Sequence, residues 1–153
     1  MLIPDTERRV PAHTPAHLNR RIRLQMQARV EQCGAGGRAA IEARLEELDR
    51  EWDMERVLEA NAATASLVGL TLAVTEDRRW IVLPMAVAGF LLLHAVQGWC
   101  PPVPLFRRMG VRTAGEIAEE RYALKALRGD FAGMPAEPVS AVSARRALLA
   151  AAQ

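Results

Sequence analysis

The chain has 153 residues, the length of one ordinary domain, and its 50% hydrophobic and 25% charged content is typical of a folded protein. The net charge is only +2, with acidic and basic residues interspersed, which excludes a polybasic nucleic-acid binder. The charges are nevertheless segregated, because the 27 residues from Trp80 to Phe106 contain no Asp, Glu, Lys or Arg. This segregation excludes an ordinary water-soluble globule as the default interpretation.

Residues 1–56 are predicted to form a helical region on the cytoplasmic side of a membrane. The N-terminus has no apolar run, so no cleaved signal peptide is expected. Thr14 followed by Pro15 predicts the start of a helix. Its apolar stripe, with arginines on the other faces, leaves two interpretations open: a helix on an anionic membrane surface, or one packed against its neighbour. The stripe consists of Leu18, Ile22, Met26 and Val30.

A second helix is predicted to begin near Arg38, after the break at Gly34–Gly37. No helix-breaking residue follows, so we expect one continuous helix from about residue 38 to residue 75. Its apolar residues recur at helical spacing and suit pairing with another helix, which makes it a candidate docking helix. The docking residues are Ile41, Leu45, Leu48 and Trp52.

Residues 57–100 are predicted to form a transmembrane hairpin with spans at about 57–75 and 80–100. The second span is the stronger, since a crossing helix needs roughly 20 apolar residues. Trp80 and Trp99 lie roughly 28 Å apart along an ideal helix, which predicts interfacial anchors at both membrane surfaces. The first span is weaker, because its charge-free core covers only Ala60–Thr75.

Small residues and arginines predict how this hairpin is packed and oriented. Ala65, Gly69 and Ala73 recur every four residues, a spacing that lets two membrane helices approach closely. Arginines near the outer ends of the spans outnumber those in the turn, which places both termini in the cytoplasm. The outer arginines are Arg38, Arg44, Arg50, Arg56, Arg107, Arg108 and Arg112, against Arg78 and Arg79 in the turn.

Residues 101–131 are predicted to form a juxtamembrane turn and a cytoplasmic helix. Thr113 and Glu116 have the spacing of a capping box, and Gly129 is expected to end the helix. Residues 132–153 are predicted to be a proline-containing linker and a short helix.

Three residues in the second span carry chemistry. Cys100, near Arg107 and Arg108, is a candidate redox or persulfide site if those charges lower its pKa; the alternative is a small apolar residue at a helix end. His94 and Gln97 form a candidate intramembrane polar site. The simpler interpretation is that His94 makes a hydrogen bond across the hairpin to Thr64 or Ser66.

The segment from Trp52 to Arg112 resembles the YgaP-like inner-membrane transmembrane domain, a bacterial two-helix domain of mostly unassigned function. The resemblance rests chiefly on the Gly-Trp-Cys-Pro turn at Gly98–Pro101, and it is extended by Glu55–Val57, Gly69, Trp80–Leu83, Gly89–Phe90, Leu105 and Met109–Val111. Some members are joined to a rhodanese, which implies membrane-associated sulfur handling and dimers of hairpins. No rhodanese-type active-site loop follows Cys100 here, since prolines interrupt that stretch.

The sequence as a whole predicts an all-α membrane protein: a two-helix transmembrane hairpin with cytoplasmic amphipathic helices on both flanks. We expect a non-enzymatic, two-pass protein of the bacterial inner membrane, without cofactor or metal. Its predicted partners are the lipid bilayer and either further copies of itself or a larger membrane complex in which it is an accessory or docking subunit. Two alternatives stay open: a sulfur- or redox-linked membrane protein that uses Cys100, and a soluble helical bundle.

Overall fold

The computed structural model describes residues 8–132, and within that range it contains helices and no strands. The predicted all-α class is therefore confirmed, whereas the helix predicted near the C-terminus lies outside the described residues. The α-helices are α1 (Arg9–Ala12), α2 (Ala16–Ala35), α3 (Gly37–Arg50), α4 (Met54–Thr75), α5 (Val82–Gln97), α6 (Val103–Met109) and α7 (Ala114–Arg128), and a 3-10 helix (Arg78–Ile81) precedes α5.

The chain divides into two compact units, where the length alone predicts one domain. The first unit is formed by residues up to Leu24 and by Trp52–Ile117, and it contains the hairpin. The second is formed by Gln25–Glu51 and by residues from Ala118 onward. Each unit is thus built from segments distant in sequence, an arrangement that length and composition do not reveal.

The continuous helix predicted from 38 to 75 is interrupted. Helix α3 ends at Arg50, Glu51 adopts an extended conformation, and α4 starts at Met54. The carboxylate of Asp53 accepts a hydrogen bond from the backbone N–H of Arg56 at 2.8 Å and caps α4. The prediction was wrong because it looked for glycine or proline breakers and overlooked an aspartate N-cap.

The start of α2 also differs from the prediction. The Thr14 hydroxyl donates to the carbonyl of Val10 at 2.8 Å instead of capping α2, which begins at Ala16. Leu18, Ile22 and Met26 are buried inside the protein. Of the two interpretations of this stripe, the structure therefore supports packing against the chain's own neighbouring elements.

Helices α4 and α5 form an antiparallel hairpin that is closed by a short turn. The Asp77 carboxylate accepts a hydrogen bond from the N–H of Arg79 at 2.8 Å and starts the 3-10 helix. Near the turn Gly69 is buried against the first turn of α5: a Cβ added to it would lie 2.6 Å from Cδ of Pro84 and 3.2 Å from Cβ of Leu83. Ala65 and Ala73 are half-buried in the same row. The two helices approach closely because the residue between them has no side chain.

The second apolar helix ends earlier than predicted. Gly98 takes a left-handed conformation (φ +77°) and its N–H bonds to the carbonyl of His94, so α5 stops at Gln97 and not at about residue 100. The helical segment from Arg78 to Gln97 still has 20 residues. Both it and the helix that leads into Thr75 are long and apolar enough to cross a membrane.

An ion pair organises the first unit around Arg107, which is fully buried. Its guanidinium donates to both carboxylate oxygens of Glu116, at 2.6 and 2.7 Å, to Oδ1 of Asn19 at 2.8 Å, and to the carbonyl of Val111. Glu116 also accepts from the N–H of Thr113, whose hydroxyl accepts from the N–H of Glu116. The predicted capping box is therefore present, and it shares its carboxylate with Arg107.

The second unit has a charged residue in its interior as well. Glu120 is fully buried and accepts hydrogen bonds from Arg44 at 2.8 Å and from Arg29 at 3.3 Å. Apolar residues buried in the same unit are Met26, Ile41, Leu48 and Leu124. Helix α7 ends at Arg128, and Gly129 follows with φ +92°, as its sequence predicts.

We expect Gly69→Ala to weaken the hairpin, because its new methyl group would overlap Pro84. Overpacking of this kind costs about 1–3 kcal/mol. Gly89→Ala is the matched control, since a Cβ at that position of α5 meets nothing within 4 Å; it should be neutral or stabilise the protein through helix propensity. Thermal unfolding of both variants in mild detergent measures the difference, and equal midpoints would show that the helices do not meet at Gly69.

We also expect Glu116→Gln to destabilise the protein by about 3 kcal/mol, because Arg107 would keep a buried charge without its partner. Burial alone would raise the pKa of Glu116. The hydrogen bonds that Arg107 and Thr113 donate to the carboxylate, together with the positive charge of Arg107, outweigh burial and lower this pKa below its ordinary value of 4.5. The carboxylate therefore stabilises the fold fully above pH 4.5 and loses this effect as the pH falls through its lowered pKa.

The same unfolding measurement at several pH values tests this pair. Glu116→Gln should flatten the loss of stability below pH 4.5, whereas Glu119→Gln, an exposed position on the same helix, should change stability by less than about 0.5 kcal/mol. A Glu116→Gln protein with the wild-type midpoint and acid dependence would contradict the assigned role of the pair.

Candidate functional site

Polar side chains meet at the end of the hairpin opposite its turn. His94, near the end of α5, is buried, and its Nε2 lies 3.0 Å from Oε2 of Glu55, in the first turn of α4. His94 was predicted to bond to Thr64 or Ser66, but its partner is Glu55. The Thr64 hydroxyl donates to the carbonyl of Ala60 in its own helix. The reason is the register of the hairpin. Gly69 of α4 faces Leu83 of α5. Because the two helices are antiparallel, His94, eleven residues after Leu83, lies level with Leu58, eleven residues before Gly69. Leu58 is one turn from Glu55.

Arg9 completes this group, which lies at the base of the hairpin, meaning the end opposite its turn. We call Arg9, Glu55 and His94 the base cluster. The guanidinium of Arg9 donates to Oε1 of Glu55 at 2.8 Å and to the carbonyl of Ala95 at 3.1 Å. Gly98 allows this approach, because a Cβ there would lie 2.5 Å from Cβ of Arg9. Helix α1 is thereby joined to both helices of the hairpin at their base.

The base cluster holds a carboxylate between a cation and an imidazole. If Nε2 of His94 carries the proton that it donates to Glu55, Nδ1 is an acceptor, and no group of the described protein donates to this buried atom. Nε of Arg9 is likewise buried without a protein partner. The arrangement suits positioning of α1 and of the two hairpin helices relative to one another.

Cys100 lies in an apolar environment next to the base cluster, packed in a group of buried side chains with Val10, Met54, Leu58 and Val103. The residue is only 4% exposed, and burial raises the pKa of its thiol above the ordinary value of 9.0. The lowered pKa that was considered from the nearby arginines is therefore wrong. Arg107 is already engaged by Glu116, and desolvation disfavours the thiolate. Of the two interpretations of Cys100, the structure favours the small apolar residue.

The remaining predicted residues of the second span are separated from one another. Gln97 is half-buried at the last position of α5. Trp80 is exposed in the 3-10 helix, whereas Trp99 lies beyond the end of α5 and makes an edge-type aromatic contact with Phe90, with 6.3 Å between ring centroids. The two indoles therefore do not mark the two ends of one continuous helix as predicted.

The predicted docking helix is largely occupied by the protein itself. Ile41 and Leu48 are 4% and 2% exposed, and Leu45 is half-buried, so this stripe faces the core of its own unit and leaves no surface for a partner. Trp52 is exposed but lies in the break between α3 and α4, and the guanidinium of Arg56 lies 4.4 Å from the centre of its ring. The proposed docking surface along α3 is therefore wrong.

Sequence reasoning did not identify Arg9 or Glu55 as site residues. Glu55 lies one turn outside the apolar run, where an acidic residue suggests only a helix start, and Arg9 is 46 positions away in sequence. One signal was present in the sequence: a histidine predicted to lie near one end of a membrane span is expected to have a polar partner at the same depth of the other helix.

No protein-family model matches the chain, and comparison with curated proteins and with solved structures found no match either. The resemblance to the YgaP-like domain thus stays a prediction. Among residues 8–132, no group of three or more His, Cys, Asp or Glu side chains is arranged to hold a metal ion.

We expect Cys33 to react with a soluble maleimide well before Cys100, since Cys33 is partly exposed while Cys100 is buried with a raised pKa. The labelling rates of the Cys33→Ser and Cys100→Ser proteins at neutral pH, each compared with the denatured chain, separate the two thiols. Fast labelling of Cys100 in the native protein would show that it is accessible and would revive the sulfur-linked interpretation.

Proposed function

We propose that the hairpin spans a bacterial inner membrane and that the chain acts there as a non-enzymatic accessory or docking subunit with both termini in the cytoplasm. The observation that carries this proposal is the exposure of large apolar side chains on the hairpin. Val74 is 87% exposed and Leu92 is 68% exposed. In the most apolar 18-residue windows of the two candidate spans, only 17% and 6% of the residues are buried. The core helix of a soluble bundle would be covered, whereas lipid tails match this surface.

The polar side chains of α4 are compatible with that environment. The hydroxyls of Thr64, Thr71 and Thr75 each donate to a backbone carbonyl four residues earlier, at 2.7–2.9 Å. Their donors are therefore satisfied within the helix and add little cost in lipid. The segment Arg78–Gln97 would cover about 30 Å, the thickness of the hydrocarbon layer.

The orientation of the hairpin follows from its arginines. Arg78 and Arg79 lie in the turn, whereas the base is followed by Arg107, Arg108 and Arg112 and preceded by the arginines of α3 and the start of α4. The excess at the base supports a cytoplasmic base. The YgaP-like resemblance, which implies hairpin dimers, is in keeping with this arrangement.

Docking is proposed through the hairpin and no longer through α3. Exposed Leu67, Val82 and Met85 present apolar surface on both helices, which further membrane helices can cover. The partner is accordingly another copy of the chain or a membrane protein. We do not favour the alternative of a sulfur-linked protein, because burial and the raised pKa of Cys100 make its thiol a poor nucleophile.

We expect the protein to remain in the membrane pellet after alkaline carbonate washing, and its turn and base to lie on opposite sides. In intact bacteria a membrane-impermeant maleimide should label the Glu76→Cys variant in the turn. It should reach native Cys33 only after the cells are permeabilised. Release into the supernatant would favour the soluble bundle, and labelling of Cys33 in intact cells would reverse the orientation.

The docking role is tested by purification of the tagged chain from its native membrane in mild detergent. We expect a stoichiometric assembly, either of identical subunits or with larger membrane proteins, detectable by light scattering and mass spectrometry. A monomeric protein that copurifies with nothing would contradict docking while leaving membrane insertion unaffected.

A further inference from the structure

Helix α6 has two faces of different chemistry. Val103 and Arg107 are buried in the first unit, whereas Leu105 and Met109, on the opposite side of the helix, are 56% and 71% exposed. Two large apolar side chains one turn apart thus form an exposed stripe on a helix whose other side is fixed in the protein. Because α6 is not part of the hairpin, insertion of the hairpin into a membrane would not by itself explain why this stripe is exposed.

Two arginines border this stripe. Arg108 is exposed on α6 between the two apolar residues and the buried face. Arg21 of α2 is also exposed, and its guanidinium donates to the carbonyl of Arg108 at 2.6 Å, which places a second cation beside the stripe. We call Arg21, Leu105, Arg108 and Met109 the basic apolar patch.

The patch lies close to the base of the hairpin. Only the five residues 98–102 separate α5 from α6, and even fully extended they would cover less than about 18 Å. They are in fact turned back: Gly98 is left-handed, and the N–H of Val103 bonds to the carbonyl of Cys100. Val103 packs in the same apolar group as Met54 and Leu58 of α4. The first turn of α6 is therefore anchored at the end where the hairpin would leave the membrane.

We propose that the basic apolar patch binds the cytoplasmic surface of an anionic bilayer. Leu105 and Met109 enter the headgroup region, and Arg21 and Arg108 bind lipid phosphates. The inference rests on the proposed membrane insertion of the hairpin. Two observations argue for lipid as the occupant: the helix that carries the patch is anchored at the base of the hairpin, whose outer surface is apolar and exposed, and the paired cations of the patch complement anionic headgroups. A helix that lies in the interface in this way would fix the rotation and depth of the hairpin.

The test uses full-length protein with a nitroxide spin label, reconstituted into vesicles of phosphatidylglycerol and phosphatidylethanolamine in equal amounts. The label is attached through Met109→Cys, or through Leu105→Cys as a second site, in a Cys33→Ser/Cys100→Ala background. Leu92→Cys, on the exposed surface of α5, is the reference for lipid. Collision rates with oxygen, which concentrates in lipid, and with a water-soluble nickel chelate measure the depth of each label.

We expect oxygen collisions to exceed nickel collisions at Leu92, Leu105 and Met109, with the two α6 positions shallower than Leu92. If Leu92 is in lipid but both α6 labels collide mainly with nickel, the patch faces water and the inference is wrong while the proposed insertion stands. If the α6 labels are shielded from both reagents, a protein surface covers the patch and the inference is again wrong. A Leu92 label in water would instead refute the insertion of the hairpin.

The role of the cations is tested by Arg21→Gln combined with Arg108→Gln in the protein labelled at Met109→Cys. In anionic vesicles the ratio of oxygen to nickel collisions should fall severalfold compared with the parent. In phosphatidylcholine vesicles the two proteins should be nearly equal. The matched control is Arg20→Gln with Arg23→Gln, two exposed arginines of α2, which should leave the ratio unchanged. An equal ratio in the patch variant and its parent in anionic vesicles would show that phosphate binding does not hold α6 at the surface.

Discussion

The first unit depends on the fully buried charge of Arg107. A buried guanidinium is tolerable only when most of its charge is compensated, and here its two terminal nitrogens donate four hydrogen bonds to Glu116, Asn19 and Val111, while Nε has no protein partner. These partners belong to α7, α2 and the loop after α6, so one side chain links three segments and helps to set their mutual position. The base of the hairpin is built against this frame.

The two helices of the hairpin are held together by different interactions from those around Arg107. Its outer surface is apolar and exposed, so in lipid no hydrophobic gain would come from closing the two helices on each other. Close contact at Gly69 supplies van der Waals packing, and the base cluster adds a charge-assisted link between Glu55 and His94. Arg9 joins the same carboxylate to α1, so hairpin closure and attachment of the N-terminal helix share one group. Loss of that carboxylate would weaken both, with the close contact at Gly69 and the bond from Arg9 to Ala95 left in place.

The features that the sequence predicts correctly are those set by neighbouring residues. The capping box of Thr113 and Glu116, the end of α7 at Gly129 and the closely packed Gly69 all depend on local spacing. Partners distant in sequence were not predictable in the same way, because nothing local distinguishes Arg107, which anchors the core, from Arg108, which is exposed. Both counted equally toward the orientation of the hairpin. The helix break at residues 51–53 is intermediate between local and distant features. The Asp53 cap is set by neighbouring residues, but aspartate is too common in helices for its position alone to predict a break.

Burial of the α3 stripe changes where a partner can bind. Because Ile41 and Leu48 are enclosed in their own unit, the large apolar side chains left exposed within residues 8–132 are concentrated on the hairpin and on α6, with a few single residues elsewhere. If the hairpin spans a membrane as proposed, a partner recognised mainly through apolar contact would reach this protein within the bilayer or at its surface. If α6 holds the hairpin at a fixed rotation, the same face of α4 and α5 is always presented to neighbouring helices. Lipid binding by α6 would then contribute to the choice of partner, although α6 itself makes no contact with that partner.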